Sequence, residues 1–252
     1  MATVLITGAS GGIGLELARV FAREGYTLVL VARNRQRLEE IAAELKPAQV
    51  RVIAKDLSVA GAAEEIHSEI PQVDVLVNNA GFGVYGKFAE TPLEDELGMM
   101  QLNMTALVIL TKLYLPSMIA ARSGRIMNVA STAAFQPGPL MAGYYATKAF
   151  VLSFSEAIGN ELEGTGVTVT ALCPGPTATG FQERGKMENS GLVKGRKIMD
   201  ARTVAEVGYR ALMAGKSVVI PGLGNKLLAQ SVRFSPRSMV TKIVRKMQEE
   251  VR

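Results

Sequence analysis

The 252-residue chain holds a single cysteine, Cys173, and a single histidine, His67. One cysteine excludes an internal disulfide, and no zinc or iron–sulfur spacing can be drawn from it. This usage fits a reducing compartment, so a cytoplasmic location is expected, with Cys173 an inert, buried small hydrophobe. A Ser/His/Asp triad would have to run through His67, which lies in the charged helical stretch AEEIHSEI and is expected at the surface. Long apolar runs are missing as well. TVLIT near the N-terminus is too short for a signal peptide and is followed at once by glycines. LVILTKLYL is interrupted by Lys112 and falls short of a membrane span. Low-complexity stretches, linkers and repeats are absent. A basic face is also wanting: the net charge is +5, and residues 233–252, with six Lys/Arg against two Asp/Glu, carry +4 of it. A near-neutral body argues against a nucleic-acid-binding domain.

What is there is an apolar chain, 48% hydrophobic, in which short apolar runs alternate with helical patterns. TVLIT (3–7), TLVLVA (27–32), VRVIA (50–54), VDVLV (73–77), RIMNVA (125–130), VTVTAL (167–172) and SVVI (217–220) read as strands. Helical patterns follow at 13–24, 35–45, 59–70, 93–121, 143–162 and 203–214. The strands are rich in Val, Ile and Leu on both faces, as expected of a parallel sheet covered by helices on both sides. Right-handed crossovers then give a doubly wound α/β fold, with seven strands in one domain over residues 1–252.

TGASGGIG (Thr7–Gly14) follows the first strand and opens the first helix. Glycines there let a pyrophosphate approach the backbone, and the helix N-terminus offers free N–H groups and partial positive charge. Neither G-x-G-x-x-G nor the P-loop pattern ending in GK[ST] fits. The end of the second strand reads VLVARNR. An NAD-selecting acid would stand where Ala32 is; Arg33 follows, and a guanidinium suits a 2′-phosphate. Arg35 is a second candidate contact.

The stretch YYATK, Tyr144 to Lys148, carries two tyrosines within one helical turn of a lysine. Such a pair suits general acid–base chemistry, since a free phenol with a pKa near ~10 is a poor proton donor until a cation favours its ionised form. Spacing alone does not choose between Tyr144 and Tyr145.

The loop T-G-x-x-x-G-x-G, NNAG at Asn78–Gly81 after the fourth strand, Ser131 at the end of the fifth, and Y-x-x-x-K together resemble the classical short-chain dehydrogenase/reductase family, over about residues 3–220. Because Gly11 and Gly12 are both glycine, the loop also fits the extended sugar-nucleotide enzymes of that superfamily, whose epimerases and dehydratases remain an alternative; length and NNAG speak for the classical type. The resemblance implies a Rossmann-type fold and hydride transfer between a nicotinamide and a ketone, aldehyde or secondary alcohol. The family's tyrosine lies thirteen positions after its serine, which selects Tyr144. Its implied roles are Tyr144 as acid/base, Ser131 on the substrate oxygen, Lys148 lowering the phenol pKa and gripping the nicotinamide ribose, and Asn103 holding a relay water through a local helix distortion. Tyr145 is expected to pack or to line the cleft. Cofactor contacts are implied for Gly8, Ser10, Gly11, Gly12, Ile13, Gly14, Arg33, Asp56, Leu57, Asn79, Ala80, Gly81, Tyr144, Lys148, Pro174, Gly175, Thr177 and Thr179, with NADP(H) preferred over NAD(H). No metal site is implied.

Residues 179–201 are expected to form a substrate lid, with Phe181, Met187, Leu192, Val193, Ile198 and Met199 suggesting an apolar substrate. The extension 225–252 carries a helical pattern with Val240, Ile243, Val244, Met247 and Val251 on one face. Docking of that helix on the body or on a neighbouring subunit is the preferred reading, and contact with anionic lipid the alternative. A homodimer or homotetramer is the family's usual assembly. A non-catalytic NADP(H)-sensing or scaffold protein on the same fold is the other class of function, and such proteins commonly lose the tyrosine or the lysine that this chain keeps.

Overall fold

A computed structural model describes residues 1–180 and 198–249. Seven parallel strands form one sheet: β1 (Thr3–Thr7), β2 (Thr27–Ala32), β3 (Val50–Ala54), β4 (Val75–Asn78), β5 (Gly124–Val129), β6 (Val167–Leu172) and, after a two-residue pair described below, β9 (Val218–Val219). Their spatial order is β3-β2-β1-β4-β5-β6-β9. The α/β doubly wound sheet expected from the apolar runs is therefore present. The last strand is shorter than SVVI suggested, because it pairs with β6 only through Ala171–Val218 and Leu172–Val219 at the sheet edge.

Strand side chains alternate between two apolar layers, as the pleat requires. Val4, Ile6, Leu28, Leu30, Val75 and Val77 face one layer, packed under α1 (Gly12–Arg23) and α2 (Arg35–Glu44). Leu5, Val29, Val31, Leu76 and Ile126 face the other, under α3 (Ala62–Glu69) and the long central helix. That helix runs as α4 (Leu93–Met100), a π-helical turn (Gln101–Ala106) and α5 (Leu107–Ala120). By length and composition Leu93–Ala120 could cross a membrane. Here Leu102, Ala106, Leu110, Tyr114 and Met118 are instead buried against the sheet. α3 begins at Ala62 rather than at 59, because Gly61 enters it with φ +86°.

α6 (Ala142–Glu161) carries the YYATK stretch. It is tied to the sheet by a buried polar chain. Asn78 Nδ2 donates to Asn128 Oδ1 at 2.9 Å and to Thr111 Oγ1 at 3.1 Å, and Asn128 Nδ2 donates to Ser155 Oγ at 2.9 Å. Amides buried this deeply need such partners, and these fix β4 and β5 against α5 and α6.

Two further strands, β7 (Thr177–Ala178) and β8 (Met199–Asp200), pair in parallel apart from the main sheet. β8 leads into α7 (Ala201–Met213), whose N-terminus is capped by Asp200 accepting from Thr203 N at 2.8 Å. Of the expected lid, Phe181, Met187, Leu192 and Val193 lie outside the described residues, while Met199 packs against the core layer of α1 and α7. The extension folds as α8 (Leu223–Ser231), a 3₁₀ turn (Val232–Phe234) and α9 (Arg237–Gln248). Val240 and Val244 pack on Ala133, Met141 and Tyr145 of the same chain, and the Tyr85 hydroxyl donates to the Gln248 carbonyl at 2.6 Å. Ile243, placed on the packing face by periodicity, is 50% exposed. It lies at one side of a buried stripe centred on Val240 and Val244, and Val251 falls outside the described residues.

Candidate active site

The C-terminal ends of β1, β4, β5 and β6 open into one cavity of about 870 Å³. Such edges are where ligands bind in open α/β sheets, and this volume suits a large organic ligand. The strand order reverses between β1 and β4, and the glycine loop sits at that switch point. Thr7 holds the two sides together. Its Oγ1 accepts from Asn79 N at 2.9 Å and Ala80 N at 3.0 Å, while Asn79 Nδ2 donates to Thr7 O at 2.8 Å and Gly8 O at 3.2 Å.

This closeness explains Gly14: a Cβ there would stand 2.4 Å from Gly8 O and 2.5 Å from Asn79 Nδ2. Gly12 has φ +54°, and Thr179 packs directly against it. α1 begins at this loop with no side-chain cap and no acidic residue in its first turn. Its first N–H groups and positive dipole end are left for an anion at the cavity wall, which fits the pyrophosphate of a dinucleotide.

Of the residues singled out from the sequence, Gly8, Ser10, Gly11, Gly12, Ile13, Arg33, Asp56, Leu57, Asn79, Ala80, Gly81, Ser131, Tyr144, Lys148, Pro174, Gly175, Thr177 and Thr179 all line this cavity. Gly14 lies behind the loop. Asn103 also lies outside the wall, inside the π-helical turn where a helix distortion was expected. Its Oδ1 accepts from Phe82 N at 3.1 Å, and its Nδ2 donates to Phe82 O at 2.9 Å and to Thr147 Oγ1 at 3.1 Å. Thr147 Oγ1 in turn donates to the Tyr144 carbonyl at 2.7 Å. Asn103 thus straps the segment after β4 to the helix that carries Tyr144.

Tyr144 shares the cavity wall with Ser131, whose hydroxyl pulls its phenol pKa downward. Ser131 lies two residues past β5 and caps the 3₁₀ turn Thr132–Phe135, its Oγ accepting from Ala133 N at 3.1 Å. Lys148, one turn along α6, is buried, and its Nζ donates to Val129 O at 2.7 Å and lies 5.8 Å from the centre of the Tyr144 ring. Burial dominates both groups. It pushes the Tyr144 phenol up to about 12, against the pull of the Ser131 hydroxyl, and pushes the Lys148 ammonium down to about 8. For both groups loss of hydration is the largest influence in the protein alone. Tyr145 turns away. Its ring fills the space beside Gly138, where a Cβ would meet it at 2.3 Å, and burial raises its phenol further.

At the far end of the cavity Arg33 reaches towards Asp56, with Nη1 to Oδ2 at 3.9 Å. Asp56 Oδ1 accepts from Ser58 N and Oγ. Arg35 does not join them; it pairs with Glu39 along α2. Lys55, which the sequence reading passed over, is a second cation in the wall here. Its signal was its place, directly before Asp56 at the end of β3. Gln136, Met141, Tyr145, Asn225, Leu228 and Met247 also line the cavity. Asn225 packs on Gly175, and no sequence pattern pointed to it. Cys173 is fully buried with its thiol pushed up to about 12, and His67 sits against Tyr114 on the outer layer.

The glycine loop at the switch point of the sheet thus stands in one cavity with Ser131, Tyr144 and the buried Lys148. The family model for short chain dehydrogenase matches residues 2–189, and the chain belongs to the short-chain dehydrogenase/reductase family. The ketoacyl reductase HetN of Nostoc sp. is 36% identical over 179 residues, covering 69% of this chain but 62% of that protein. A short-chain dehydrogenase from Sphingobium yanoikuyae in complex with NADPH is 31% identical, with a TM-score of 0.85 over 99% of this chain and 98% of that one. The bulky-bulky ketone specific alcohol dehydrogenase from Comamonas testosteroni is 30% identical, with a TM-score of 0.79 over 94% and 95%.

Gly14→Ala should force the loop away from Asn79. The expected loss is about 1–3 kcal/mol of stability, read by urea denaturation, together with weakened dinucleotide binding.

Proposed function

We propose that the protein is an NADP(H)-dependent oxidoreductase that moves a hydride between nicotinamide and a ketone, aldehyde or secondary alcohol. The observation that carries this reading is that Ser131 and Tyr144 line one cavity with the glycine loop, with Lys148 buried one turn along α6 and bonded to Val129 O. A bound nicotinamide supplies or receives the hydride. Ser131 Oγ and the Tyr144 hydroxyl converge on the place for a substrate oxygen. Tyr144, held protonated at neutral pH by burial, donates to the developing alkoxide, which suits the reductive direction. Lys148 anchors α6 to β5 through Val129 O and keeps a cation beside the phenol. Asn103 and Thr147 hold the backbone of Tyr144 in place.

The preference for NADP(H) is supported by Arg33 and Lys55 in the wall, by Ala32 in place of an acid, and by the NADPH-bound relative. Met141, Tyr145, Leu228 and Met247 in the cavity wall favour a bulky apolar carbonyl, in keeping with the bulky ketones for which the Comamonas protein is specific. Assembly into a homodimer or homotetramer is supported by the exposed apolar side chains Leu93, Leu97, Ile119 and Phe150 on α4, α5 and α6.

Tyr144→Phe should abolish NADPH-dependent reduction of a panel of bulky ketones while keeping cofactor binding, and Tyr145→Phe should retain most activity; the reverse pattern would overturn the assignment. Arg33→Ala should weaken NADPH binding roughly ten- to hundredfold, as expected for a charge-assisted contact. NADH binding should change far less, and a calorimetric titration of both cofactors separates these outcomes. Because burial lowers the Lys148 ammonium to about 8, kcat/KM for reduction should fall to about half near that pH and decline further above it.

A further inference from the structure

The segment Pro221–Glu249 combines two properties. It carries six of the 28 Lys/Arg, namely Lys226, Arg233, Arg237, Lys242, Arg245 and Lys246, and one of the 23 Asp/Glu, leaving 22 cations against 22 acids in the rest of the chain. The whole net charge of +5 therefore sits here. All six cations are exposed, and among the described residues only Arg245 has an ion-pair partner, Glu249 at 3.2 Å. The same segment turns large apolar side chains to solvent: Phe234 is 89% exposed, Leu223 74%, Leu227 62%, Ile243 50% and Met239 48%.

The placement on α9 is orderly. Val240 and Val244 form the docked side. Met239 and Ile243 stand one turn apart and form an exposed row, and Lys242 and Lys246 form the row beside it. Phe234 projects from the turn between α8 and α9. We propose that this segment is a docking surface for an anionic lipid bilayer. Exposed apolar side chains flanked by cations match the two layers of such an interface, acyl chains beneath anionic headgroups. A second copy of the chain is the poorer occupant, because a two-fold contact through this surface would set +5 against +5. Leu228 and Met247, on the same two helices, belong to the cavity wall. Docking would therefore bring the cavity up against the bilayer, and on the reading of an apolar carbonyl substrate this gives a membrane-dissolved molecule a short path to Tyr144.

Co-sedimentation with vesicles of phosphatidylcholine, with and without phosphatidylglycerol, tests the surface itself and needs no substrate. The full chain should pellet with the anionic vesicles, hardly at all with the zwitterionic ones, and less as salt is raised. Removing cations should lower the partition about fivefold each, so Lys242→Glu combined with Lys246→Glu should release the protein, and Phe234→Ser should weaken it further. Unchanged melting temperatures would show that these exposed-site variants are folded. Failure to bind anionic vesicles, or binding indifferent to both sets of variants, would overturn the proposal. So would a lipid-independent doubling of mass that Phe234→Ser abolishes, which would assign the surface to a second copy.

Discussion

A parallel sheet buried on both faces has only its strand ends to offer to polar chemistry. Here each strand divides its side chains between two apolar layers, Val4 and Ile6 to one and Leu5 to the other, and so on across the sheet. No ionisable group can stand on those faces without losing its hydration. The hydroxyls, amides and charges of the site therefore gather where β1, β4, β5 and β6 stop: Thr7, Asn79, Ser131 and the Pro174–Gly175 turn. The crossover direction changes between β1 and β4, and the gap left there receives the glycine loop and the uncapped start of α1. Gly14 is small because the loop must lie against Asn79, and Asn79 lies there because Thr7 accepts both of the N–H groups that follow β4.

Exclusion of water also sets the electrostatics of the reacting groups. Tyr144 and Lys148 share the same buried wall, and each is pushed towards its neutral form, the phenol up and the ammonium down. Both groups sit in a rigid frame. That rigidity comes from buried hydrogen bonds: Lys148 to Val129 O, Asn103 to Phe82 and Thr147, and the Asn78–Asn128–Ser155 chain that joins sheet to helix. Each is placed by a residue far away in sequence, so α6 is held from several directions at once.

The C-terminal helices have two faces with different tasks. Val240 and Val244 pack over Met141 and Tyr145, and Tyr85 bonds the end of α9 to the body. Through Leu228 and Met247 they become the outer wall of the cavity. Their other faces carry an excess of cations beside exposed apolar side chains. Closing a binding cavity and presenting an amphipathic surface are thus functions of the same short segment, and the geometry of one constrains the other.

Much of this was legible from residue order alone. The apolar strand runs gave the sheet and its parallel sense, because burial on both faces leaves no alternating polar positions. The glycine loop, NNAG, Ser131 and the tyrosine–lysine spacing marked the cavity wall, because motifs on strand ends and on one helical turn keep their geometry locally. Three things were decided only in three dimensions. Periodicity put Ile243 with Val240 and Val244, yet the width of the docked stripe depends on which surface receives the helix. Lys55, Asn225, Leu228 and Met247 enter the cavity through contacts between segments that no local pattern connects. The direction in which Tyr144 and Lys148 shift depends on how completely their neighbours exclude water, and that is a property of packing rather than of spacing.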